Sequence, residues 1–81
     1  MNRLYIEECL KWYRAVTGQK MLKQELAKIV FEDSNLAMQT KQSMISNWNT
    51  GANFSGFKLK YLRRLKEVLG VSYDMLLEGK V

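Results

Sequence analysis

Leu65-Lys-Glu-Val-Leu-Gly-Val-Ser-Tyr-Asp-Met-Leu-Leu77 contains the end of one helix, a turn and the start of the next. Gly70 is the residue type best able to take the left-handed conformation that closes a helix, and Ser72 offers a side-chain oxygen to the free N–H groups that open one. Upstream, Leu59, Leu62, Leu65, Val68 and Leu69 recur at helical separations, which predicts a helix from about Phe57 to Leu69 with these residues inward. Downstream, Tyr73 to Leu77 is read as a short helix in which Met75, Leu76 and Leu77 close a core.

Working back toward the N-terminus, Lys41 to Asn49 reads as a helix N-capped by Thr40 and ended by Gly51. One side of it holds Met44, Ile45 and Trp48; the other presents Lys41, Gln42, Ser43, Ser46 and Asn47, all able to hydrogen-bond. Before it, Met21 to about Phe31 carries an apolar stripe of Leu22, Leu26, Ile29 and Val30, with Ala27 small enough for close helix contact. Glu32-Asp33-Ser34-Asn35 breaks that segment, since short polar side chains compete for backbone hydrogen bonds. Residues 3 to 16 are read as the first helix, with Asn2 as cap, Gly18 as stop and Leu4, Ile6, Cys9, Leu10, Tyr13 and Val16 at helical spacing. No stretch alternates as a strand does, and there is no repeat or Pro/Gly/Ser-rich linker. The expectation is a compact all-α fold of five helices in a single domain, residues 1–81.

Composition narrows the chemistry. Cys9 is the single cysteine and His is absent, so neither an intramolecular disulfide nor an ordinary zinc set is expected. Lack of His also removes the commonest general base, and no Ser or Cys has the partners that nucleophilic catalysis needs, so the chain is read as a non-enzyme without metal or cofactor. No apolar run approaches the roughly 20 residues that span a bilayer. Arg3, Glu7 and Glu8 interrupt the N-terminus before a signal-peptide core could form, so a cytoplasmic location is expected. Thirteen Lys and Arg against eight Asp and Glu give a net charge of +5, which suits a polyanionic partner because basic side chains neutralise phosphates and release counterions.

Three stretches in order, Lys23-Gln-Glu-Leu-Ala27, Ile45-Ser-Asn-Trp-Asn-Thr-Gly51 and Leu65 to Leu77, resemble the Xre/Cro/phage-repressor helix-turn-helix family, the lambda-repressor-like DNA-binding domains. The Ser-Asn-Trp form of the middle motif is similar to that of temperate-phage repressors. The resemblance implies that one helix crosses the DNA backbone while the next lies in the major groove, with Ala27 and Ile45 where the two touch. It further implies a phosphate contact for Lys23 and base reading by Gln42 and Ser43. Lys41, Ser46 and Asn47 lie near enough to share base or phosphate contacts, and Asn49 and Thr50 match a stretch that meets the sugar-phosphate backbone. The partner implied is double-stranded operator DNA, bound as a homodimer on a pseudo-palindrome, with no membrane and no small-molecule substrate. An antitoxin or anti-repressor of the same fold, with a protein as its main partner, is the alternative. Both a complete Cro-sized protein and the N-terminal domain of a longer repressor are compatible with the sequence.

The sequence departs from that family between Ala27 and Ile45, which lie eighteen positions apart where the family pattern has about ten. The extra residues, around Phe31 to Gln39, leave two options: a longer second helix, or an added turn at Ser34 to Met38. Glu32 and Asp33 would be repelled by phosphate, so this insertion is expected to face away from DNA. Arg63, Arg64 and Lys66 are read as a solvated helix face, Trp48 as core, and Tyr5 and Trp12 as off the main apolar stripe.

Overall fold

The computed structural model describes residues 2–80. Five helices follow one another: α1 (Ile6–Thr17), α2 (Lys23–Val30), α3 (Met38–Thr50), α4 (Leu59–Leu69) and α5 (Tyr73–Glu78), with no strand among the described residues. α2 packs chiefly on α3 and then on α4, while α1 touches α3, α4 and α5. Gly18, Gly51 and Gly70 all stop their helices in the left-handed conformation, and Ser72 accepts a hydrogen bond from the Met75 amide at 3.2 Å as the cap of α5. No helix of the described residues is long and apolar enough to cross a membrane.

The core joins all five helices. Ile6 and Cys9 of α1, Leu26, Ala27 and Val30 of α2, Ile45 and Trp48 of α3, Leu62 and Leu65 of α4 and Leu76 of α5 are buried in one cluster. Trp48 is fully buried in an aromatic group, with ring centroids 5.4 Å from Phe31, 5.8 Å from Tyr61 and 4.9 Å from Phe57, the last edge-on at 86°. The tilted Phe31 and edge-on Phe57 contacts suit the quadrupoles of the rings, and Tyr61 is stacked on Trp48 at 26°. The Trp48 indole Nε1 has no hydrogen-bond partner among the described residues.

Several expectations are corrected. The first helix begins at Ile6 and not at residue 3, and Asn2 does not cap it. Residues 2–5 instead run across the ends of two other helices: the Leu4 amide donates to the Trp48 carbonyl and the Tyr5 amide to the Leu76 carbonyl, each at 2.8 Å. Those carbonyls lie in the last turns of α3 and α5, where no intrahelical donor reaches, and Leu4 is completely buried beneath the crossing. Satisfying two helix ends and burying a leucine outweighs one more turn of helix. Thr40 is not a cap either: α3 starts three residues earlier than Lys41, with Ala37 at its cap position, so Thr40 lies inside the first turn. Leu59 opens α4 with its side chain exposed, and Val16, Leu22 and Ile29 are exposed as well, so these four are not core.

The segment between Ala27 and Ile45 does not lengthen the second helix, and a turn at Ser34 takes up only part of it. α2 ends at Val30, residues 31–33 turn, the Ser34 hydroxyl accepts from the Leu36 amide at 3.2 Å, and the remaining length goes into the N-terminal extension of α3. Phe31 anchors the turn in the core. Asp33 pins it to α4, accepting from both Arg64 guanidinium nitrogens at 2.8 and 3.0 Å with Lys60 at 3.5 Å, while Arg64 also donates to the Val30 carbonyl at 2.8 Å. Arg64 is therefore a bracing residue and not part of a solvated face. Its guanidinium, bonded directly to Asp33, holds that carboxyl well below the usual carboxylate range.

Candidate nucleic-acid interface

At 100° per residue, the thirteen residues of α3 divide into two faces. Ile45 and Trp48 point into the core, fully buried, with Met38 and Met44 packed alongside. The opposite face carries Gln39, Thr40, Ser43 and Thr50, all exposed, with Ser46 and Asn47 half-buried beside them. Lys41 is the helix's one charged residue, and no acidic side chain occurs in it. Every other helix contains at least one carboxylate. The outward surface of α3 is thus a strip of amides and hydroxyls, the groups that pair with base edges, free of the charge that would repel a polyanion.

Of the residues implied as contacts, Ser43, Ser46, Asn47 and Thr50 share this strip. Gln42 lies on its flank, but Lys41, expected on the outward side, falls one helical turn before Ile45 and between Ile45 and Trp48 around the helix, on the inward side; both are half-buried. Thr50 is partly engaged: its hydroxyl donates to the Asn47 carbonyl at 3.3 Å and accepts from the Ala52 amide at 3.3 Å, shaping the exit from α3. Asn49 is on the other side. Its side chain is 8% exposed, and its Oδ1 accepts from the Glu7 amide at 3.0 Å and from Arg3 at 3.3 Å. The Arg3 Nε donates to the Asn49 carbonyl at 2.6 Å. Asn49 therefore secures the start of α1 to the end of α3, and its amide is turned inward.

Lys23 opens α2, where its ammonium lies 2.8 Å from Glu7 of α1. The hydrogen bond and charge of Lys23 lower the Glu7 pKa below its ordinary value. The Lys23 charge at this helix start is therefore partly matched by Glu7. α2 and α3 both begin without a side-chain cap, so amide N–H groups of their first turns remain free to donate to an anion.

No family model, curated protein or solved structure matches the chain. The assignment of the surface accordingly stands on its geometry and on the motifs of the sequence. Gln39 and Thr40 also belong to the outward strip, which a helix capped by Thr40 would not include. The signal that could have placed them is Ala37-Met38-Gln39, three good helix formers with no breaker between them and Lys41. The clasp of Arg3 on Asn49 had no local signal, since its members are 46 residues apart.

Proposed function

We propose that this protein is a transcriptional regulator that binds double-stranded DNA by sequence, as a homodimer on a pseudo-palindromic operator, and represses by occupying it. In this reading the five helices form a lambda-repressor-like domain: α2 crosses the phosphate backbone, α3 enters the major groove, and the connection between them is lengthened. The observation that carries the reading is the make-up of α3, whose inward face is anchored by fully buried Ile45 and Trp48 and whose outward face is uncharged, amide- and hydroxyl-bearing and free of acid. The full burial of Ala27 on α2, the helix that packs chiefly on α3, the basic balance of the chain and the Cro-like motifs support it.

Ser43 and Asn47 are the central base readers in this arrangement, with Gln39 at the leading end and Gln42 reaching in from the flank. Lys23 supplies a phosphate contact, joined by the uncapped first turn of α2. Asn49 holds the scaffold, and Asp33 is removed from contention as a repulsive charge by its bonds to Arg64 and Lys60.

Selection of bound duplexes from a random pool tests this directly. The expected outcome is enrichment of a symmetric motif whose half-sites lie about one helical turn of DNA apart. Asn47→Ala and Gln42→Ala should each relax preference at one symmetric pair of positions, by about 1–3 kcal/mol, with melting temperature nearly unchanged. Affinity should also fall steeply with salt, as counterion release requires. A pool that shows no enrichment, or binding indifferent to salt, refutes the proposal.

A further inference from the structure

A second surface is built on the far edge of α1, and the inference drawn from it does not depend on DNA binding. Glu7, Leu10, Lys11 and Arg14 fall at positions i, i+3, i+4 and i+7 and so share one face of α1. Opposite them, Lys20, Met21 and Leu22 run in extended fashion into Lys23, leaving a groove of about 350 Å³ between the two segments. The seven rises from Glu7 to Arg14 give it a length of about 10 Å. Its floor is apolar: Leu10 and Met21 are half-buried, and Leu22 is 47% exposed. The Glu7–Lys23 ion pair at 2.8 Å closes one end and neutralises the single carboxylate of the lining.

The remaining rim is wholly cationic. Lys11, Arg14 and Lys20 are in no ion pair among the described residues, unlike Arg3, Lys23, Lys60, Arg64 and Lys80. An apolar trough about two helical turns long, bordered by three unmatched positive charges, is complementary to a segment that carries apolar side chains on one side and carboxylates at its edges. A small anion would leave the floor wet, and a purely apolar ligand would leave the rim unmatched. We propose that this groove is a docking site for an acidic amphipathic helical segment of a partner protein. The partner's apolar side chains lie on Leu10, Met21 and Leu22, and its Asp and Glu side chains pair with Lys11, Arg14 and Lys20, in the manner of a helix set into a groove.

The test uses a fluorescein-labelled helical peptide of about twelve residues, with Leu at i, i+3, i+4 spacing and Glu or Asp elsewhere, followed by anisotropy and by amide chemical shifts of the protein. The expected result is saturable binding with shifts concentrated in residues 7–14 and 20–23. Arg14→Glu with Lys20→Glu should weaken it about tenfold, and Leu22→Ser, at a site exposed enough to leave the fold intact, several-fold. Lys28→Glu with Arg63→Glu makes the same charge change away from the groove and should leave affinity within about twofold. Several results overturn the proposal: no binding, equal loss in the two charge-reversed pairs, equal binding of a peptide with Lys in place of its acids, or shifts centred elsewhere. Groove resonances moved by a random-sequence DNA duplex but not by the peptide would assign these cations to phosphate and overturn it as well.

Discussion

Substituting alanine at Gly51 and at Gly70 separates two costs that usually come together. Both glycines stop a helix with positive φ, +79° and +66° respectively, so a side chain at either strains the backbone by about 1–2 kcal/mol. At Gly70 nothing lies within 4 Å of the added Cβ, and that strain is the whole expected effect. At Gly51 the Cβ would run into the backbone carbonyl oxygen of Asn2, with the Asn2 carbonyl carbon at 3.1 Å and Arg3 Cβ at 3.2 Å. Backbone cannot swing aside as a side-chain tip can, so residues 2–5 must lift. Lifting them weakens the Leu4–Trp48 and Tyr5–Leu76 hydrogen bonds, about 1 kcal/mol each, and partly uncovers Leu4, whose full burial is worth about 2 kcal/mol. Gly51→Ala should therefore destabilise by about 3–5 kcal/mol against about 1–2 for Gly70→Ala. For a domain of this size the difference corresponds to a gap of about 10 °C or more in melting temperature. Thermal or urea unfolding followed by circular dichroism measures both. Equal destabilisation by the two substitutions would show that residues 2–5 do not bear on the end of α3.

Three further outcomes are expected. Trp48→Ala should cost about 3–5 kcal/mol by emptying the centre of the aromatic group, while Trp48→Phe should cost well under half of that because it also removes a buried N–H without a partner; unfolding curves that rank the two the other way refute this account of the core. Asp33 titrates in the folded state below the 3.8 of a free aspartate, so its bonds to Arg64 contribute fully above that pH and are lost as pH falls below it; Asp33→Asn should flatten the decline of melting temperature in acid, and an unchanged decline would place the sensitivity elsewhere. Burial, aided by Glu8, pushes the Cys9 thiol up to about 11, so a thiol reagent near pH 8 should modify it only as fast as the protein unfolds; rapid native-state labelling would contradict its buried position.

What the sequence made legible is what short-range chemistry decides. Gly51 and Gly70 end helices because no other residue type tolerates their backbone so well, and Ser72 caps α5 through an amide three residues away. Trp48 and Ile45 follow from helical spacing alone. The errors occur where a distant partner intervenes. Leu4 belongs to an apolar stripe at helical spacing, yet its backbone is claimed by Trp48, and Asn49 is drawn inward by Arg3 and Glu7. Leu59 fits the period of α4 but sits on its first turn, where the side chain points back past the end of the helix and is left exposed. Asp33 looked like an acidic liability in an insertion; only the fold reveals that Arg64, 31 residues later, accounts for it. The strip on α3 was legible in part, because polar residues opposite Ile45 are evident, but its true extent depended on where the helix starts.

The crossing of residues 2–5 also governs how the molecule opens. Leu4 reports to the end of α3 and Tyr5 to the end of α5, so a fluctuation that frees this short segment exposes two helix termini and a buried leucine together. A five-helix chain joined only by neighbour contacts could fray in stages. Here Leu4 and Tyr5 clasp the ends of α3 and α5, so their opening is expected to accompany loss of the whole, giving these two positions the protection normally found at the centre of a chain. The Leu4 and Tyr5 amides should accordingly be among the slowest of the non-helical positions to exchange with deuterium, with a free energy of opening close to that of global unfolding.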